Sequence, residues 1–387
     1  MKIKLGDICT FQSGGTPTKG TEEFFNGTIP WITTTALNGG KIDGTQAVNW
    51  ITEKAIEKSA AKLVPAFSIM VGTRVGVGKV AVNTVQMSTS QDIISLINID
   101  ENRWDKDYLC KYIQGKNAFL NSQARGATIK GIKMDVLANL ELEEIPLIEQ
   151  VRISETIDKV KEILDARKRE LLELDKLVKA RFVEMFGTLH DNENGFEVVT
   201  IEDVCSLMKD GTHQTPQYTE NKEEGFKFLS SKDVMSQKID WTDIKYIPAE
   251  LHEKLYATIK PQRNDILMSK NGVNYGVAAV NDTDEIFDIY VSLALLRPKE
   301  EIDPVFLRCV INNPETKRQF DSSIKGIGVP NLHLGEIRKT KIFLPPIELQ
   351  KEFVLFVDQV DKSKAAVQKS LDETQVLFDS LMQKYFG

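Results

Sequence analysis

The sequence predicts a mixed α/β chain built as an internal repeat. Two similar globular blocks are separated by two long antiparallel coiled-coil helices, and the halves are related by a pseudo-twofold axis. Three observations predict this. The stretch Pro146–Gly187 recurs without a gap as Pro346–Gly387. Both copies carry apolar residues on alternating steps of four and three. The stretches ahead of them share one succession of loops, strand-like runs and Gly turns. The expected boundaries are 1–145 and 188–345 for the blocks, and 146–187 and 346–387 for the helices.

The helices carry the clearest pattern. Ile153, Ile157, Val160, Leu164, Leu171, Leu174, Val178 and Met185 form one seam. Phe353, Val357, Val360, Val367, Leu371, Phe378, Leu381 and Tyr385 form the matching one. Steps of four and three sustained over about five heptads exceed what a coiled coil needs. Proline at each start and glycine at each end are the expected boundary signals. At 1.5 Å per residue each helix reaches roughly 60 Å, too long for a single ordinary domain. Two helices packed on each other give both seams a home, although Arg167, Arg181, Lys364 and Thr374 interrupt them.

Bulk properties narrow the class. At 387 residues the chain holds two or three domains with real cores. No apolar run reaches eighteen residues and no basic-then-apolar leader is present, so neither a membrane span nor export is expected. Cys9, Cys110, Cys205 and Cys309 stand alone, with no CxxC pair, and fit neither a zinc site nor a disulfide framework. Cys9 and Cys205, at equivalent places in the two halves, are expected to be small buried core residues, and the compartment to be reducing cytoplasm. The net charge of −7 is unevenly placed, being +1 over 1–145 and −6 over 188–345. Any polyanion must be met by a local patch or with help from a partner.

Within the blocks, Leu5-Gly6-Asp7-Ile8-Cys9 resembles Ile201-Glu202-Asp203-Val204-Cys205, each expected to open a short amphipathic helix. A Gly/Thr/Pro loop follows in both, at 13–17 and 210–216. Strand-like runs come next, Ile29–Thr35 and Phe226–Lys232, then a helix near 52–62 and 249–257. Two strands joined by a Gly turn are expected at Ser68–Arg74 with Val77–Asn83, and at Asp265–Lys270 with Gly276–Asn281. A helix over Tyr108–Gln123 or Phe306–Phe320 and a Gly loop at 126–131 or 326–331 close each block.

No catalytic constellation emerges. Gly72-Thr73-Arg74-Val75-Gly76-Val77-Gly78-Lys79 has five residues between its outer glycines where a phosphate loop needs four. It also lacks the Ser/Thr that would hold magnesium, and a hairpin explains it better. His190, His213, His252 and His333 have no metal-binding spacing, and no GxSxG elbow occurs. What remains is recognition. Two blocks held apart by stiff helices suit a target with two separated elements, such as B-DNA read at sites one turn, about 34 Å, apart.

The duplicated Pro146-Leu147-Ile148-Glu149-Gln150 and Pro346-Ile347-Glu348-Leu349-Gln350 openings carry a family resemblance, with the Phe186-Gly187 and Phe386-Gly387 ends. The Leu5-Gly6-Asp7-Ile8 start and the Gly76-Val77-Gly78-Lys79 turn add to it. Over essentially its whole length the chain resembles the specificity (S) subunit of type I restriction–modification systems. The resemblance implies two target-recognition domains, each reading one half of a split, asymmetric double-stranded DNA site, with helices that set the spacer. It also implies docking of two adenine-N6 methyltransferase subunits and recruitment of restriction subunits. No catalytic residue, metal or cofactor is expected on this chain; S-adenosylmethionine, ATP and Mg belong to the partners. Two rival readings are the DNA-recognition fragment of a single-chain restriction–methylation enzyme, and a protein-binding scaffold. Cofactor binding by the purified chain would favour the first, and an unchanged methylation pattern in its absence the second.

Loop residues are the candidate DNA contacts, because Arg and Lys bond guanine edges or phosphates while Asn and Gln pair with adenine. In the first block these are Thr33, Thr34, Thr35, Arg74, Lys79, Gln91, Arg125 and Lys130. In the second they are His213, Gln214, Ser230, Lys232, Lys270, Asn274, Tyr275, Lys325 and Asn331. The candidate seam or partner-binding residues are Ile157, Val160, Leu164, Leu171, Leu174, Val178, Val357, Val360, Val367, Leu371, Phe378 and Leu381.

Overall fold

The computed structural model describes residues 2–126, 128–324 and 330–387. The long helices span Leu147–Phe186 and Ile347–Phe386, forty residues each. The chain divides into two compact units, residues 1–169 with 368–387 and residues 170–367. Each unit is therefore a globular block together with part of both long helices.

The two blocks share one sheet plan. In the first unit, strands Thr10–Ser13, Ile93–Ile97, Ile69–Gly72, Val80–Asn83 and Lys41–Ile42 form one sheet in that order. A second sheet runs Asn49–Ile51, Phe25–Ile32, Met87–Thr89, Leu63–Val64, and a two-stranded ribbon pairs Lys2–Lys4 with Glu141–Glu143. In the second unit the corresponding sheets run Cys205–Asp210, Leu293–Pro298, Ile266–Ser269, Ala278–Val280 and Lys245–Ile247, Phe226–Leu229, Phe287–Ile289. The ribbon there is Glu197–Thr200 with Lys341–Leu344.

Backbone hydrogen bonds repeat pair by pair. Gly14 N–H donates to Ile93 C=O at 3.0 Å, and Gly211 to Leu293 at 3.1 Å. Ser90 donates to Ile32 at 2.9 Å as Tyr290 does to Leu229 at 2.8 Å, and Thr73 donates to Asp92 as Lys270 does to Ser292, both at 2.8 Å. Glycine is required at the first of these positions in both blocks. A Cβ on Gly14 would stand 2.2 Å from the Ser90 carbonyl, and one on Gly211 would stand 2.3 Å from that of Tyr290. The duplication is thus a duplication of the hydrogen-bonded frame.

Several expected elements differ in detail. The short helix at Leu5–Cys9 is a single 3-10 turn, Leu5–Asp7, and Ile201–Val204 is a plain turn. The runs expected as strands through Thr35 and Lys232 stop at Ile32 and Leu229, where 3-10 turns Thr34–Ala36 and Ser231–Val234 take over. The helix over Tyr108–Gln123 is broken in two, Lys106–Gly115 and Asn117–Gln123. Its counterpart breaks into Pro304–Ile311 and Pro314–Ser323, because Pro314 lacks the N–H that would continue the first piece. Cys205 is buried as expected, while Cys9 is half-buried.

Within each unit the long-helix segments run antiparallel. In the first, Ile153 and Ile157 share a core with Phe386, against which Phe378 and Met382 pack. In the second, Phe182 and Phe186 meet Phe353 and Val357. All the seam residues named above lie on the covered side: Ile153, Ile157, Val160, Leu164, Phe353, Val357, Val360 and Val367 are buried, and the rest half-buried. Two of the polar interruptions are inter-helix ion pairs, Lys364 with Asp175 at 2.5 Å and Arg181 with Glu352 at 3.2 Å. Such half-exposed pairs are worth at most about 1 kcal/mol each, so their contribution is to register rather than stability.

The repeated opening motif also acquires a cause. Gln150 is fully buried; its Oε1 accepts from Asp105 N–H at 2.9 Å, and its Nε2 donates to the carbonyls of Arg103 and Ile145 at 2.8 and 2.9 Å. Gln350 does the same to Asp303, Glu301 and Pro345 at 2.9, 3.1 and 2.8 Å. Each glutamine ties the start of a long helix to its block. Gln150→Leu keeps the volume but leaves three buried backbone groups unpaired, and is expected to cost about 2–4 kcal/mol in urea-monitored unfolding. A cost under about 0.5 kcal/mol would show that water replaces the amide.

Candidate nucleic-acid interface

In the first block the hairpin loop after Ile69–Gly72 meets the loop after helix Asn117–Gln123. Arg125 and Gly131 exchange backbone hydrogen bonds at 2.9 and 3.0 Å, Arg74 is bridged to the other side of Gly131, and Ile132 N–H donates to Thr73 C=O at 2.9 Å. Thr73 N–H and Oγ1 both donate to Asp92 C=O, which brings up the turn holding Gln91, itself hydrogen-bonded to Thr16. Arg74, Gln91, Arg125 and Lys130 are exposed along this edge.

The second block repeats the arrangement with different side chains. Asn271 is bridged to Asn331, and Leu332 N–H donates to Lys270 C=O at 2.8 Å. The loop carrying His213 and Gln214 is held by Thr212, whose N–H donates to Ile289 C=O and whose C=O accepts from Val291 N–H, both at 3.0 Å. His213, Gln214, Asn274 and Asn331 are exposed. Lys325 lies outside the described residues.

Burial removes three of the expected contacts. Thr34 is 5% exposed inside its 3-10 turn, although its neighbours Thr33 and Thr35 hydrogen-bond to each other nearer the surface at 2.8 Å. Lys270 is 4% exposed, with its ammonium 2.6 Å from Asp210. Tyr275 is 8% exposed; its hydroxyl donates to Asp321, and Lys317 sits 3.4 Å above its ring. Each is a positioning group for a loop and no longer a contact. Ser230 is half-buried, giving its N–H and Oγ to Asp233 at 2.7 and 3.1 Å. Lys232 is exposed but donates to the Asp243 carboxylate at 2.8 Å, a bond that raises its pKa. Lys79 lines a cavity of about 520 Å³ with Ile157 and Leu164 of the first long helix, a lining that does not include Arg74.

Sequence reading missed Asn271, although hairpin register places it opposite Arg74 in the repeat. It also missed the apolar tips Val75, Ile129 and Val273, all exposed and able to meet a thymine methyl.

Reactive chemistry finds little support here. Burial pushes the thiols of Cys9, Cys110 and Cys205 up to about 12, so none is a thiolate near neutral pH. His252 Nδ1 lies 2.7 Å from Asp288, whose carboxyl pKa is raised by burial, but the imidazole is stacked on Phe226 at 3.7 Å and both residues are buried. Among the described residues no His/Cys/Asp/Glu group has metal-binding geometry, and no helix is long and apolar enough to cross a membrane.

Comparison with known proteins agrees with this edge-and-helix plan. The family model described as type I restriction modification DNA specificity domain matches residues 1–175 and again 193–374. The MjaIX type I restriction enzyme specificity subunit of Methanocaldococcus jannaschii is 23% identical over 403 residues, covering 98% of this chain and 91% of that protein. The S subunit from M. genitalium has the same fold at TM-score 0.58 and 17% identity, over 100% of this chain and 96% of that one. A chain in a structure describing complex assembly of the type I R-M system gives TM-score 0.63 at 17% identity, over 100% and 97%. With two matches that together take in most of its length, the chain belongs to the type I restriction–modification DNA specificity family, as a non-catalytic sequence-specificity subunit.

Proposed function

We propose that each block reads one half of a bipartite, asymmetric double-stranded DNA site, and that the helices position two adenine-N6 methyltransferase subunits and recruit restriction subunits. One observation supports this most: the same hydrogen-bonded frame occurs twice, yet the residues on it are unlike, Arg74 and Gly131 in one block against Asn271 and Asn331 in the other. A frame repeated with different readers suits two half-sites of different sequence. Among the earlier contact candidates, Thr33, Thr35, Arg74, Gln91, Arg125, Lys130, His213, Gln214, Asn274 and Asn331 remain on this reading. S-adenosylmethionine, ATP and Mg act on the partner subunits, in the cytoplasm. Mapping N6-methyladenine in cells with and without the gene tests the reading: one bipartite motif should lose methylation when the gene is deleted. An unchanged adenine pattern would overturn it in favour of a protein-binding scaffold.

A further inference from the structure

We propose that the Arg74–Gly131–Arg125 bridge is a preformed phosphate anchor of the first block, in which both guanidinium groups neutralise DNA phosphates. This anchor rests on the DNA-reading function proposed above.

The first half of the argument is geometric. Directly opposed residues of an antiparallel pair put their side chains on the same face. Arg74 opposes Gly131, and Gly131 opposes Arg125, so the two arginine stems rise from one face, roughly 10 Å apart. Glycine between them leaves that face open; a Cβ on Gly131 would stand 2.8 Å from Arg74 Cγ. Neither guanidinium has an ion-pair or hydrogen-bond partner among the described residues, and both are exposed. They are fixed at the backbone and free at the tip.

The second half is the contrast. At the position of Arg74 the second block has Asn271, and at the position of Thr73 it has Lys270, turned inward onto Asp210 at 2.6 Å, while the position of Arg125 falls to Lys325, outside the described residues. Lys232 is held by Asp243 at 2.8 Å. A phosphate recruiting either lysine must first break an ion pair, whereas at the first block it meets two donors already presented. The block charges, +1 over 1–145 against −6 over 188–345, point the same way.

Counterion release makes this measurable, since each phosphate neutralised adds about 0.9 to the slope of log K against log salt. The full chain is titrated with random-sequence duplex DNA between about 50 and 200 mM salt. The doubly substituted Arg74→Gln, Arg125→Gln chain should lose about 2 from the magnitude of that slope, and the Arg74→Lys, Arg125→Lys chain should keep it. Lys232→Gln should leave it unchanged. The inference is overturned if the double glutamine variant keeps the full slope, if Lys232→Gln lowers it equally, or if the full chain binds no DNA at the lowest salt. Methylation mapping separates this from the functional reading. An unchanged slope with an intact gene-dependent motif defeats the anchor alone, while loss of that dependence defeats the function.

Discussion

Phe186→Ala and Phe386→Ala are each expected to destabilise the chain by about 3–5 kcal/mol, the usual cost of truncating a buried aromatic side chain. Both residues end a long helix and both are essentially inaccessible. Phe186 lies 5.0 Å from the rings of Phe182 and Phe306 and 5.5 Å from Phe353, so its loss opens a cavity walled by three other rings. Phe386 meets Tyr108 at 5.3 Å and Tyr112 at 6.3 Å, a smaller cluster whose tyrosines keep other contacts. The Phe186 variant should therefore lose more. Denaturant midpoints with an unchanged m-value are the measurement, and a loss below about 1 kcal/mol would mean that the helix ends are not anchored in the cores.

The second large effect concerns target spacing. Inserting one heptad near Arg167, with a matching heptad near Val367, preserves the seam while lengthening each helix by roughly 10 Å. The unread gap in the methylated motif is expected to grow by about three base pairs, at 3.4 Å per step, with the bases of both half-sites retained. Two residues inserted instead of seven rotate the downstream seam by about 200° and should cost stability rather than change spacing. Altered bases within a half-site would defeat the idea that helix length sets the gap.

Features that depend on local periodicity were legible in the sequence. The seam from Ile153 to Met185 follows from residues three and four apart sharing a helix face, whatever lies around them. The Gly14 and Gly211 loops were recognisable as equivalent, although the reason for glycine, a carbonyl just over 2 Å from the missing Cβ, is a contact across some eighty residues of chain. Gln150 and Gln350 stood out only as repeated letters. Their role became visible once both amides were seen bonded to backbone groups on either side of a helix start.

The candidate site was legible as a set of loops and illegible as a set of contacts. Thr33, Thr34 and Thr35 read alike, yet a 3-10 turn hides the middle one. Lys270 and Arg74 are both cations at the same hairpin, one step apart in the repeat. The sequence by itself determined the duplication, the helix seam and which loops recur, because those depend on backbone hydrogen bonding and on neighbours a turn away. Only the tertiary structure decided which polar groups are free to meet a ligand. An ion pair such as Lys270 with Asp210 joins residues sixty positions apart, and burial against a distant strand is what converts a reader into a brace.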